Sequence, residues 1–115
     1  MLEKGQATLL RIFLGELDKI GHRSLYESIL LSARKQGLAG CTVLKGVLSY
    51  GASTRIHTAK LIEISEDLPV IVEIVDTTEK INGFLPTVNA LFDECGRGGL
   101  ITMEKVEVLY YQSKK

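Results

Sequence analysis

Two short stretches of this 115-residue chain carry residue types suited to gripping a ligand. The first is Cys95-Gly96-Arg97-Gly98-Gly99. Glycines let backbone N–H groups approach phosphate oxygens closely, and an arginine among them adds a charge-assisted, bidentate hydrogen bond. Gly96, Arg97, Gly98 and Gly99 could therefore cradle an anion. They equally read as a helix stop followed by a tight turn, because they sit in neither a GxxxxGK[ST] nor a GxGxxG context. The second stretch, Ser49 to Ala59, sets Gly51, the hydroxyls of Ser49, Tyr50, Ser53 and Thr54, and the side chains of Arg55 and His57 between two apolar runs. Such a segment can hold an anion, present itself to a partner or simply turn a corner. Its length exceeds the roughly 2–5 residues of an ordinary hairpin connection.

Other chemistries are thinly supplied. His22, His57, Cys41 and Cys95 are the imidazole and thiol donors, and no two of them have metal-ligand spacing. Cys95, His57 and Glu73 are the one conceivable set of nucleophile, base and orienter, scattered along the chain without an elbow or an oxyanion signature. The pattern places a binding module ahead of an enzyme. Cys41 and Cys95 show no CxxC spacing and read as small buried hydrophobes in a reducing compartment.

The totals fit that reading. Apolar residues make up 45% of the chain, and fourteen basic side chains balance fourteen acidic ones, so no global field recruits nucleic acid or an anionic membrane. No apolar run approaches the roughly 20 residues of a membrane span, and charge breaks the N-terminus before it resembles a signal peptide. The expectation is a soluble, cytoplasmic protein of one domain over residues 1–115.

Periodicity places the two stretches among elements. Residues 6–15 alternate as a strand with Leu10, Ile12 and Leu14 on one face and Leu9, Arg11 and Phe13 on the other. Ser24-x-x-Glu27 reads as a capping box opening a helix through Leu25, Ile29 and Ala33 that ends at Gly37. Residues 40–51 and 68–76 read as strands joined by a long hairpin, with the Ser49–Ala59 stretch inside it. Asp76 and Thr77 sit at a helix start, and Ile81, Leu85, Val88 and Phe92 mark its apolar face. Pro86 implies a kink, or a helix that properly begins near Leu85. The final strand, 99–111, changes apolar parity near Glu104 and Lys105, which implies a bulge or a departure from the sheet. The order βαββαβ implies an α+β, ferredoxin-like fold: a four-stranded antiparallel sheet with two helices on one face. Leu9, Phe13, Leu44, Leu48, Ile71 and Val75 leave the other face apolar, which implies a homo-oligomer built through the sheets. Arg11 on that face is expected to pair with Glu73 or Glu104, or to reach a ligand phosphate.

Three segments in this order, residues 40–51, 68–76 and 95–108, resemble the PII-like signalling proteins, and specifically an uncharacterised branch of that trimeric, ferredoxin-like superfamily. The resemblance implies a homotrimer that binds an adenine nucleotide in clefts between subunits. A loop between the second and third strands then controls a partner, often a membrane transporter or an enzyme. Position by position it implies nucleotide contacts from Gly40, Cys41 and Thr42, from Gly51 and Ser53 with Arg55 nearby, from Val72 and Glu73, and from Gly96, Arg97, Gly98 and Gly99. Tyr50, Thr54, His57 and Lys60 fall on the partner loop. PII proteins usually present a lysine after the glycine loop and two arginines near the end of the last strand. This chain has Leu100 and Ile101, then Val108, Leu109 and Tyr110. A smaller ligand, AMP or ADP rather than ATP, suits Arg97, Arg55 and Lys60 as the available charges, with no metal and no catalytic residue. The alternatives are a trimeric metal-binding protein, or a purely structural one without nucleotide.

Overall fold

The computed structural model describes residues 1–47 and 68–112. Its elements are β1 (Gly5–Gly15), β2 (Lys19–Ile20), β3 (Arg23–Ser24), α1 (Leu25–Lys35), β4 (Thr42–Lys45), β5 (Pro69–Asp76), α2 (Thr78–Cys95) and β6 (Leu100–Val108). The long strands form one antiparallel sheet in the order β4-β5-β1-β6. Strand β5 is inserted between β1 and β4, and β1 between β5 and β6, so each helix crosses over a strand that the chain supplies elsewhere. This is the expected ferredoxin-like topology.

Strand alternation decides what each face carries. Leu10, Ile12 and Leu14 of β1 and Val70, Val72 and Ile74 of β5 point to the helices and are buried. Leu25, Ile29 and Ala33 of α1 and Ile81, Phe84 and Val88 of α2 close over them to form the core. Burying a side chain of this size contributes about 1.5–3 kcal/mol. The opposite face is arranged in cross-strand rungs. One rung runs Leu44, Ile71, Phe13, Leu100; the next runs Thr42, Glu73, Arg11, Thr102. Leu44 is 45% exposed and Leu100 55%, so the apolar rung is open in the single chain, beside the charged rung that carries Arg11 and Glu73.

The structure departs from the sequence reading in four places. A small β2–β3 hairpin, turning at Gly21 with φ 62°, stands between β1 and α1. Ser24 occupies the N-cap of α1 but makes no side-chain cap hydrogen bond; the Leu25 N–H, at the first helical position, donates to the Asp18 carbonyl at 2.7 Å, so the turn before β2 supplies a backbone bond at the helix start. Helix α2 starts at Thr78 and runs through Gly83 and Pro86 to Cys95. Asn82, Gly83 and Pro86 all lie on its exposed side, where water can serve the Asn82 carbonyl that proline leaves without a donor. Strand β6 keeps one unbroken register with β1, from Phe13↔Leu100 to Gly5↔Val108, without a bulge. Its parity change is a change of environment: the helices cover Ile101 but leave Met103 and Lys105 exposed.

Candidate functional site

Helix α2 delivers the glycine loop. Gly96 takes the left-handed conformation, φ 78°, and its N–H donates to the Phe92 carbonyl at 2.9 Å, so the helix-stop reading holds for this residue. Gly99 has a different local reason. A Cβ there would stand 2.5 Å from the Phe92 ring and 2.8 Å from the Phe13 carbonyl oxygen, so helix and sheet meet through the absence of a side chain. Arg97 is the charged residue of the loop. Arg97 is exposed, with its Nε 3.9 Å from Oδ1 of the buried Asp18. The loop, with Asn89, Phe92 and Asp93 of α2 and Leu100 and Ile101 of β6, lines a shallow, open cleft. A small molecule held there needs a second wall, because ligand sites generally bury most of their occupant.

The Gly40–Thr42 segment is fixed from beneath by Asp76. This carboxylate, 2% exposed, accepts from the Thr77 N–H at 2.7 Å with one oxygen and from the Ala39 N–H at 2.8 Å with the other. The entry to β4 is thereby tied to the start of α2. Gly40 is exposed, and the Cys41 thiol turns toward the core, where burial pushes its pKa up to about 11. Thr42 lies on the open face opposite Glu73. Val72 is wholly buried on the helix side, so its side chain is not presented to solvent. Glu73 is engaged: Arg11 donates from Nε to Glu73 at 2.9 Å and from Nη1 to Glu104 at 2.8 Å. The Glu73 hydrogen bond first, then the charges of Glu104 and Glu73, raise the Arg11 pKa above its ordinary value. The expected pairing of Arg11 thus occurs within one chain, with both acids at once.

Thr42 and Glu73 are brought together; the two glycine segments are not. Gly40–Thr42 lies at the β4 edge and Gly96–Gly99 at the β6 edge, three inter-strand gaps or about 14 Å apart across the sheet. Gly51, Ser53 and Arg55, with Tyr50, Thr54, His57 and Lys60, lie outside the described residues. The ends that flank that segment are held together: the Gly46 N–H donates to Pro69 at 2.7 Å, the Glu16 N–H donates to Leu68 at 2.9 Å, and Lys45 pairs with Glu16. Among the described residues no group of three His, Cys, Asp or Glu side chains could hold a metal ion. Nor is any helix among them long and apolar enough to cross a membrane. Asp18 and the second role of Asp76 were missed from sequence. Gly15-x-x-Asp18 is an ordinary turn spacing, and nothing local links either acid to a partner tens of residues away.

The sheet order, with both helices on one face, defines a ferredoxin-like fold. A solved structure of the same architecture is that of CPII, a nitrogen regulatory PII-like protein from Thiomonas intermedia K12, bound to ADP, AMP and bicarbonate. It superposes with a TM-score of 0.66 at 15% identity, over 94% of this chain and 92% of that one. Residues 7–108 match the DUF190 family, described as "Uncharacterized ACR", and the chain belongs to that family. A UPF0166 protein of Aquifex aeolicus is 39% identical over 102 residues, covering 89% of this chain and 92% of the relative. A UPF0166 protein of Methanocaldococcus jannaschii is 34% identical over 103 residues, covering 90% and 92%.

Proposed function

We propose that this chain is a single-domain, non-enzymatic regulator that assembles as a homotrimer and binds an adenine nucleotide, AMP or ADP in preference to ATP, between neighbouring subunits in the cytoplasm. Occupancy biases the 49–60 loop, which a partner such as a transporter or enzyme reads; the ligand must touch that loop more favourably in one state than in another. One observation carries the reading. The two glycine segments stand at opposite edges of one sheet whose open face carries an exposed apolar rung, so packing copies through that face would set the β4 edge of one copy beside the β6 edge of the next. The open cleft at Gly96–Ile101 would gain its second wall in the same step. CPII, of the same fold, is bound to ADP and AMP in its solved structure.

A second reading, assembly without a ligand, is favoured by the local roles of Gly96 and Gly99, which account for much of the loop without invoking a phosphate. Thermal unfolding separates the two. A ligand specific for the native state at 100 times its Kd stabilises by about 2.7 kcal/mol. AMP should raise the melting temperature of the wild-type protein and raise that of Arg97→Ala much less. Equal melting temperatures with and without nucleotide in both proteins would leave assembly alone.

A further inference from the structure

We propose that Asp18 is a positioning residue for Arg97: it holds the guanidinium by its Nε edge and leaves both Nη groups for a ligand phosphate. The inference rests on the nucleotide reading above. Asp18 closes the turn after β1, where its N–H donates to the Gly15 carbonyl at 3.3 Å, its Oδ2 accepts from the Gly15 N–H at 3.1 Å, and its carbonyl accepts from Leu25 at 2.7 Å. These bonds fix the direction of a carboxylate whose side chain is only 7% exposed. The remaining oxygen, Oδ1, faces Arg97 Nε at 3.9 Å, and a buried carboxylate keeps such a cation close because its charge is otherwise poorly compensated.

The arrangement matters because Arg97 is otherwise loose. Its side chain is 67% exposed and has no other ion pair or hydrogen bond among the described residues. An arginine in that position must give up rotamer freedom to grip an anion, and a carboxylate that already draws its Nε to one side lowers that cost. The carboxylate lies on the Nε edge, so an anion arriving at the Nη edge meets the cation first. Glycine-loop geometry and the β1–β2 turn are thereby coupled through one pair of side chains.

The test is a double-mutant cycle read by titration calorimetry with AMP and, as the uncharged probe, adenosine. Asp18→Asn removes the charge while keeping an oxygen for the Gly15 N–H, and Asp18→Ser does the same should the first variant fold poorly. Either should weaken AMP about tenfold, leave adenosine within about twofold, and cost nothing further in an Arg97→Ala background. An AMP affinity that is unchanged or raised overturns the assignment. So does equal weakening of AMP and adenosine, which is what a purely structural role in the turn would give, or a full loss that persists without Arg97. Wild-type protein that binds neither AMP nor ADP sinks the nucleotide reading and this one with it, whereas wild-type binding with insensitive Asp18 variants sinks this one alone.

Discussion

Phe92 lies against Gly99 so closely that a single added methyl would stand 2.5 Å from its ring. The Phe13 carbonyl blocks the other way out at 2.8 Å, so the residue type at 99 is fixed by the packing of α2 on the sheet before any ligand is considered. Gly99→Ala should destabilise the ligand-free protein by about 1–3 kcal/mol in urea denaturation. A variant as stable as the wild type would mean that the ring swings aside freely and that the glycine has another purpose.

The two helix starts look alike in sequence and differ in structure. Thr77 Oγ1 accepts from the Lys80 N–H at 3.2 Å, whereas Ser24 makes no cap bond. Thr77→Ala should therefore cost about 1 kcal/mol. Ser24→Ala should stay within about 0.5 kcal/mol. Denaturation curves giving equal losses would contradict the assignment of the α1 start to the Asp18 carbonyl.

The half-buried thiol of Cys41 sets a pH window. Burial raises its pKa in the folded chain to about 11 from an ordinary 9.0, so the stability tied to the neutral thiol is complete below pH 9.0 and is lost as pH rises through about 11, the unfolded chain giving up its proton first. Cys41→Ala should show a shallower loss of stability over that interval. Alkylation of native Cys41 by iodoacetamide, followed by mass spectrometry, should stay slow at pH 8 and accelerate only toward pH 11. Rapid labelling at pH 8 would place the thiol outside the core.

Assembly through the open face can be broken without breaking the fold. Leu44 and Leu100 are already largely exposed in the single chain, so Leu44→Asp and Leu100→Asp should leave melting of the subunit nearly unchanged. In sedimentation velocity the wild type should run as a trimer and both variants as monomers. A monomeric wild type, or variants that sediment like it, would remove the inter-subunit cleft from the account.

The helix faces and the face that carries Arg11 were legible because each follows from a period of two or of about 3.6 residues, and the sheet topology because the element order βαββαβ implies it. A cation on an apolar strand face also needs an acid within reach. Other features were hidden for physical reasons. The β2–β3 hairpin is too short to show a period. Pro86 is tolerated in α2 because its side of the helix faces water. The parity change in β6 records where the helices stop covering the sheet, which no local pattern reports. At the candidate site the residue types of the glycine loop were legible but their division of labour was not. That Gly96 ends a helix, Gly99 admits a ring and Arg97 meets Asp18 are relations to distant residues, fixed only when the sheet brings Phe13 and the β1 turn alongside.

Nucleotide binding is the central claim, and titration calorimetry of the purified protein with AMP, ADP and ATP tests it most directly. Saturable binding of AMP or ADP at about one molecule per chain, tighter than that of ATP and weakened by Arg97→Ala, is the predicted result. The absence of heat with all three at millimolar nucleotide would contradict it.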